Sequence, residues 1–99
     1  MMKLFRSTDD KLADIGFKRD ESVNSKVGLV ARYIRRSPYK NGYTHVVDLV
    51  HKANGNHILQ SYDPDLSDVK NIGNVCIGLT CYELKLFAKK MAELGLEVK

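Results

Sequence analysis

The fold is decided by residues 43–63, which read YTHVVDLVHKANGNHILQSYD. Two runs rich in β-branched and aromatic residues flank Asn54-Gly55, and this arrangement predicts an antiparallel hairpin with strands over Tyr43–Lys52 and His57–Asp63. If the dipeptide forms the centre of a two-residue turn, the cross-strand pairs are His51 with Ile58, Leu49 with Gln60 and Val47 with Tyr62. Both faces of the hairpin mix polar and apolar residues, so the pattern leaves open which face is buried.

Further strands are predicted on either side of the hairpin. In Lys26–Arg36, successive side chains would alternate between the two faces of a strand, and both faces would carry apolar residues. This pattern predicts a third long strand. The short apolar piece Val75-Cys76-Ile77 is a candidate for a fourth strand at the edge of the sheet.

The first helix is predicted to end at Ile15, because Gly16 supplies a C-terminal stop. Two positions for its start are left open. It begins between Lys3 and Ser7, or it is a shorter helix capped by Ser7 or Thr8 with carboxylates in its first turn.

The last helix has well-defined ends. Thr80 is its predicted N-cap and Glu83 completes a capping box. Gly95 ends the helix, and Leu96 is expected to fold back on Met91.

One side of this last helix is predicted to face the core. The apolar stripe comprises Cys81, Leu84, Phe87, Ala88, Met91 and Leu94. Leu86 lies outside that stripe and is predicted to be a small exposed anchor for a protein partner.

Together these elements predict one α+β domain over residues 1–99, in the order α-β-β-β-α, with a three-stranded antiparallel sheet and both helices packed on one face. A chain of 99 residues has room for one hydrophobic core, and 43% hydrophobic with 28% charged residues is typical of a globular protein. The strand edge would allow a dimer as well as a monomer.

The sequence favours a cytoplasmic protein that does not cross a membrane. The N-terminal residues turn polar at Arg6, so the apolar run that they form is too short for the core of a signal peptide. No apolar run approaches the roughly 20 residues of a membrane span. Cys76 and Cys81 are the only two cysteines, and we expect them to be reduced.

No metal site or cofactor is predicted. In the predicted register His45 and His51 lie about 20 Å apart, while His57 points to the opposite face. The acidic segment 63–68 lacks the glycine of an EF-hand calcium loop. A general-base or partner-contact role for one histidine is left open.

The chain is predicted not to be an enzyme. It contains no nucleophile motif, glycine-rich phosphate loop or dinucleotide fingerprint. An enzymatic role would need a pocket that brings His45 or His51 next to a second polar group.

Asp48 is unusual because it lies in mid-strand between Val46 and Val50. A carboxylate on an apolar face needs a partner, such as Ser61. The alternative is that this face is exposed.

The strongest candidate for a binding surface is the segment 32–43, which combines basic residues with tyrosines. Such a mixture neutralises phosphates and stacks on exposed bases. Lysines of the last helix add positive charge, and the formal net charge of +4 permits an anionic partner. The predicted partner- or nucleic-acid-binding residues are Arg32, Arg35, Arg36, Tyr39, Lys40, Tyr43, Lys85 and Lys89. The alternative is a charged, solvated loop without a binding role.

The order helix, three strands, helix resembles the double-stranded-RNA-binding domain, and residues 80–85, TCYELK, resemble the start of that family's second helix. That family places a lysine pair on phosphates, where this chain has Cys81 and Tyr82. Lys89 and Lys90 follow two turns later, so the resemblance implies the topology alone.

The stretch from Tyr43 through Tyr62 resembles small uncharacterised proteins of Gram-positive bacteria and their phages, as do the segment Gly78-Leu79-Thr80 and the Lys-rich helix that follows it. This resemblance implies a phage or mobile-element accessory protein. That class includes anti-CRISPR proteins, which inhibit host defence by docking on a target.

These observations predict a non-enzymatic binding protein that modulates a host macromolecule, either a protein or a ribonucleoprotein, by docking. One alternative is a module that binds RNA or DNA through the basic, tyrosine-bearing loop. Another is a structural or interaction domain.

Overall fold

The structure is a computed structural model, and it describes residues 6–25, 28–37, 44–64 and 75–96. The described part is an α+β arrangement of two helices and an antiparallel sheet, as the sequence predicts. In chain order the elements are α1 (Thr8–Asp14), β1 (Lys18–Arg19), β2 (Gly28–Arg36), β3 (Thr44–His51), β4 (His57–Asp63), β5 (Val75–Cys76) and α2 (Cys81–Glu93).

Neighbouring strands in the sheet are neighbours in the chain, in the order β1-β2-β3-β4-β5. The three long strands are confirmed, and the predicted edge strand is present as β5, which pairs Cys76 with Tyr62. A second short edge strand, β1, pairs Lys18 with Ile34 and was not predicted. Two residues are too few to show a strand period in the sequence.

The β3–β4 hairpin is confirmed, but its predicted register is wrong by one residue. The observed pairs are His51 with His57, Val50 with Ile58, Leu49 with Leu59, Asp48 with Gln60, Val47 with Ser61 and Val46 with Tyr62. Each residue of β4 therefore shares a face with a different set of β3 residues than expected.

The length of the loop explains this shift. The Lys52 N–H donates to the carbonyl of Asn56 at 3.1 Å, and the Gly55 N–H donates to the carbonyl of Lys52 at 3.0 Å. Three residues thus form the loop, with Gly55 in the left-handed region at φ 86° as its last member. Asn54 takes part as the acceptor of the Asn56 N–H, at 3.0 Å.

Both helices pack on one face of the sheet, as predicted, and the core lies between them. Tyr33 of β2 contacts Phe87 of α2, with ring centroids 5.5 Å apart, and its hydroxyl donates to Asp9 of α1. The buried core cluster comprises Leu12, Phe17, Val30, Ala31, Tyr33, Val47, Leu49, Leu86, Phe87, Met91 and Leu96. We call this side of the sheet the helix face and the opposite side the far face.

The shorter version of the first helix is the observed one. Ser7 is the N-cap, and its hydroxyl accepts the Asp10 N–H while the Asp10 carboxylate accepts the Ser7 N–H. Gly16 follows the helix at φ 97°, in the left-handed region that ends helices.

The predicted ends of α2 are confirmed. Thr80 and Glu83 form the capping box, and the Leu96 N–H donates to the carbonyl of Met91 at 2.7 Å after Gly95, at φ 81°. Leu96 is buried in the core cluster.

The predicted buried stripe of α2 is partly wrong. Phe87 and Met91 are buried as expected, but Leu84 is 52% exposed, whereas Leu86, the predicted exposed anchor, is only 5% exposed. Cys81 is exposed as well. The helix is rotated so that Glu83 also points inward, toward a basic residue of the sheet described below.

Candidate functional site

The sheet separates the predicted binding residues of β2 onto two faces. Arg32 and Arg36 lie on the far face, and Arg35 lies on the helix face, because neighbouring side chains of a strand alternate. The predicted residues Tyr39, Lys40 and Tyr43 lie outside the described residues.

Three side chains form a polar network at the centre of the far face. Asp48 accepts hydrogen bonds from Arg32, from Nε at 2.8 Å and from Nη2 at 3.2 Å, and from the Tyr62 hydroxyl at 2.6 Å. Asp48 therefore has the partners that a carboxylate on this face was expected to need, although Ser61 is not among them because it lies on the helix face. The alternative of an exposed face is wrong, since Asp48 is 5% exposed. Burial and the hydrogen bond to Asp48 raise the pKa of Tyr62.

A groove of about 310 Å³ lies over this network. The described residues that line it are Arg32, Ile34, Arg36, Thr44, Val46, Tyr62 and Pro64. Two arginines and a tyrosine surround an apolar floor, and no described lining residue is acidic. Because Asp48 pairs with Arg32, the exposed Arg36 supplies the accessible positive charge of the groove, next to its apolar surface.

Arg36 lies between this groove and a second one. A groove of about 520 Å³ at the β1 edge is lined by Gly16, Lys18, Arg19, Asp20, Glu21, Ile34 and Arg36. This second groove has both acidic and basic side chains. Arg36 is exposed and shared by the two, so it is the basic residue of β2 best placed to meet a partner.

Arg35 is held within the protein. Its guanidinium donates to Glu83 of α2 at 2.7 Å, to the carbonyl of Ile15 at 3.2 Å and to Nδ1 of His45 at 3.1 Å. It also lies over the ring of Phe17, 4.2 Å from the centroid. These contacts connect the sheet to both helical segments, so Arg35 has a structural role here.

His45 and Ser61 form the pairing of a histidine with a second polar group that an enzymatic role would need. The His45 Nε2 lies 2.5 Å from the Ser61 Oγ, and His45 is 1% exposed. Because a guanidinium only donates, Arg35 requires Nδ1 to accept, and the ring proton is then on Nε2 and is donated to Ser61. A ring in this tautomer cannot take the proton of Ser61, so the arrangement does not activate a nucleophile.

Burial, reinforced by the charge of Arg35, lowers the pKa of His45. The ring is therefore neutral at neutral pH. This is consistent with its role as an acceptor for Arg35.

The predicted lysines of the last helix lie away from the far face. Lys85 and Lys89 are exposed on α2, next to Tyr82, which is 54% exposed. Because α2 packs on the helix face, the sheet separates these lysines from Arg32 and Arg36. The described members of the predicted set therefore form two separate basic surfaces and one internal cluster.

The register brings together two histidines that the sequence analysis placed on opposite faces. Nδ1 of His51 lies 3.0 Å from Nδ1 of His57, and the rings stack with centroids 4.7 Å apart. Interpreting residues 53–55 as a three-residue loop that ends in glycine would have predicted this pair. Within residues 6–25, 28–37, 44–64 and 75–96, no group of three or more His, Cys, Asp or Glu side chains converges as a metal site.

Comparison of the chain with protein-family models, with curated proteins and with solved structures finds no match. Neither helix of the described chain is long and apolar enough to cross a membrane.

Proposed function

We propose that this chain is a non-catalytic docking protein whose far face binds an acidic surface of a protein partner. The observation that carries the proposal is the far-face groove, in which Arg32, Arg36 and Tyr62 surround Ile34 and Val46 without an acidic lining residue among those described. Arginine and tyrosine are enriched at protein interfaces, because they combine large contact area with hydrogen bonding.

The geometry of the groove favours binding because part of it is already fixed. Asp48 holds the guanidinium of Arg32 through two hydrogen bonds and holds the hydroxyl of Tyr62 through a third. Side chains that are ordered before association lose less conformational entropy on binding. Arg36, which is exposed, supplies the accessible positive charge.

The chemistry of the helix face supports a function without catalysis. Its polar cluster of Arg35, His45, Ser61 and Glu83 is satisfied internally, and the tautomer of His45 leaves Ser61 without a base. The cluster accordingly stabilises the packing of α2 on the sheet.

The resemblance to small proteins of Gram-positive bacteria and their phages extends the proposal to a biological class. In this hypothesis the partner is a host protein or ribonucleoprotein, and docking modulates the partner's activity, just as anti-CRISPR proteins inhibit their targets by docking. The hypothesis also implies a cytoplasmic site of action.

The test uses charge reversal on the two sides of the sheet. Proteins from a nuclease-treated lysate of a Gram-positive host are captured on the immobilised chain, purified, and titrated with the wild type, Arg36→Glu and Lys85→Glu. Arg36→Glu is expected to weaken binding at least about tenfold, since it places like charges opposite each other at an acidic interface. Lys85→Glu makes the same charge change on α2 and is expected to have little effect.

Two outcomes would contradict the proposal. One is a purified partner whose affinity falls with Lys85→Glu and not with Arg36→Glu. The other is direct binding of purified RNA or DNA to the immobilised chain, with an affinity that falls steeply with salt, which would favour nucleic-acid binding instead. Thermal melts of both variants establish that the fold is retained.

A further inference from the structure

We propose that His51 and His57 form a binding site for a divalent transition-metal ion of the Zn²⁺, Ni²⁺ and Cu²⁺ class at the end of the β3–β4 hairpin. This site is separate from the far-face groove and does not depend on the proposed docking function.

The spacing of the two imidazoles is that of two ligands on one ion. Their Nδ1 atoms are 3.0 Å apart, closer than the ring centroids at 4.7 Å. Two metal–nitrogen bonds of about 2.0–2.1 Å that meet at about 90–110° separate the nitrogens by about 2.9–3.4 Å. The observed separation lies within that range.

The backbone holds the two rings in this relation. His51 and His57 are the last pair of the β3–β4 ladder before the three-residue loop, so each projects from the same end of the hairpin. Cross-strand neighbours on one face have Cβ atoms about 4.5–5.5 Å apart, which allows both side chains to reach one ion. Little movement of the backbone is needed to bind.

The surroundings leave room for the remaining ligands of an ion. Both rings are half-buried, and the residue paired with His51 on its other side is Gly28, which has no side chain. A Cβ built on Gly28 would meet no atom within 4 Å. Two imidazoles with water in the other positions suit Zn²⁺, Ni²⁺ and Cu²⁺, whereas Mg²⁺ and Ca²⁺ prefer oxygen ligands.

Protons must be redistributed when the ion binds. At 3.0 Å one Nδ1 donates to the other, so one ring carries its proton on Nδ1. For both Nδ1 atoms to bind the metal, that proton moves to Nε2 of the same ring through solvent. This transfer within one ring keeps the number of protons unchanged and leaves both Nδ1 lone pairs for the ion.

The test is a titration of the full chain with Ni²⁺ and Zn²⁺. Cys76→Ser and Cys81→Ser are introduced first, because both thiols are exposed and would compete for the ion. Isothermal titration calorimetry is expected to give one site, and the thermal midpoint is expected to rise with the ion, because the ion binds the folded hairpin and not the unfolded chain. Mg²⁺ is expected to produce neither effect.

Variants assign the site to the two rings. His51→Gln and His57→Gln are each expected to lower the affinity for Ni²⁺ by more than about tenfold and to abolish the rise in thermal midpoint. Lys52→Gln, at the exposed neighbouring position, is the matched control and is expected to bind as the parent does. Circular dichroism without metal verifies that each variant is folded.

The proposal fails if the parent binds no Ni²⁺ or Zn²⁺, since the pair would then only share a proton. It also fails if His51→Gln and His57→Gln bind as tightly as the parent. Paramagnetic broadening by Ni²⁺ in NMR spectra provides the independent location: loss of signal centred on residues 50–58 supports the site, and loss centred elsewhere overturns it.

Discussion

Nη1 of Arg35 lies 2.7 Å from Oε2 of Glu83, and this ion pair joins the end of β2 to the first turn of α2. The other carboxylate oxygen of Glu83 accepts the Thr80 N–H at 2.8 Å. One side chain thus caps the helix and fixes its rotation on the sheet. That rotation buries Leu86 and exposes Leu84.

Glu83→Gln is expected to lower the free energy of unfolding by about 2 kcal/mol, because it leaves the half-buried charge of Arg35 without its carboxylate. Glutamine preserves the capping box, so the substitution isolates the ion pair from the cap. Urea unfolding at neutral pH measures the loss. Thr80→Ala removes the cap hydroxyl and is expected to cost about 1 kcal/mol.

The pH dependence of the wild type provides a second readout of Glu83. Burial raises the pKa of this carboxyl, but the hydrogen bonds from Thr80 and Arg35 and the charge of Arg35 outweigh it, so the pKa is below its usual range. A lowered folded-state pKa contributes stability above the unfolded value of about 4.3, and that stability is lost as the pH falls further. Equal acid sensitivity in wild type and Glu83→Gln would contradict this assignment.

Leu86→Ala and Leu84→Ala test which side of α2 faces the core. Leu86 is 5% exposed, and its truncation is expected to cost about 2–5 kcal/mol. Leu84 is 52% exposed, and its truncation is expected to change stability by less than about 0.5 kcal/mol. Chemical denaturation of both variants measures the difference, and equal losses would show that the helix is rotated otherwise.

The ends of α2 and the existence of the β3–β4 hairpin could be predicted because each depends on residues close in the chain. Thr80 with Glu83 defines a helix start, and Asn54-Gly55 defines a reversal, whatever surrounds them. The register depends on one further residue in the loop, and Asn-Gly fits both a two-residue turn and the end of a three-residue loop. A one-residue difference there changed the partner of His51.

The far-face and helix-face pairings could not be predicted, because they join residues distant in the chain. Arg35 was predicted to be a binding residue because it lies beside Arg36 in a basic segment. Neighbouring side chains of a strand alternate between the two faces, so Arg35 lies on the helix face and contacts Glu83, 48 positions later in the chain. Lys85 was also grouped with Arg36 among the candidate binding residues. The sheet instead separates Lys85 from Arg36.

Ser61→Ala is expected to lower stability by about 1–3 kcal/mol, because it leaves the buried Nε2–H of His45 without an acceptor. Ser61→Thr keeps a hydroxyl at this position and is expected to recover most of the loss. Nitrogen-15 NMR of the imidazole measures the tautomer directly. A proton found on Nδ1 would contradict the assignment and would reopen a role for His45 as a base toward Ser61.

The lowered pKa of His45 also predicts a loss of stability in mild acid. The unfolded chain binds a proton at this histidine near pH 6.5, whereas the buried ring resists protonation. The unfolded state therefore takes up more protons, and the free energy of unfolding falls as the pH drops below about 6.5. This window lies above that of Glu83, so unfolding measured across acidic pH separates the two groups.

In alkaline solution, two buried phenols are expected to destabilise the fold. Burial raises the pKa of Tyr33, with further increases from its hydrogen bond to Asp9 and from the charge of that carboxylate, and the pKa of Tyr62 is raised similarly beside Asp48. A raised folded-state pKa gives stability that is complete below the unfolded value of about 10 and is lost as the pH rises beyond it. Each phenol that stays protonated only in the folded state contributes a slope of up to about 1.4 kcal/mol per pH unit.

Tyr33→Phe and Tyr62→Phe test this linkage. Each is expected to cost about 1 kcal/mol at neutral pH through the lost hydrogen bond, and to reduce the alkaline decline, since the titrating group is gone. Tyr82→Phe makes the same change at an exposed position and serves as the control. Urea midpoints measured across alkaline pH test this prediction. If stability declines as steeply in Tyr33→Phe as in the wild type, the phenol of Tyr33 ionises equally well in the folded and the unfolded chain. Its hydrogen bond to Asp9 would then not hold the proton.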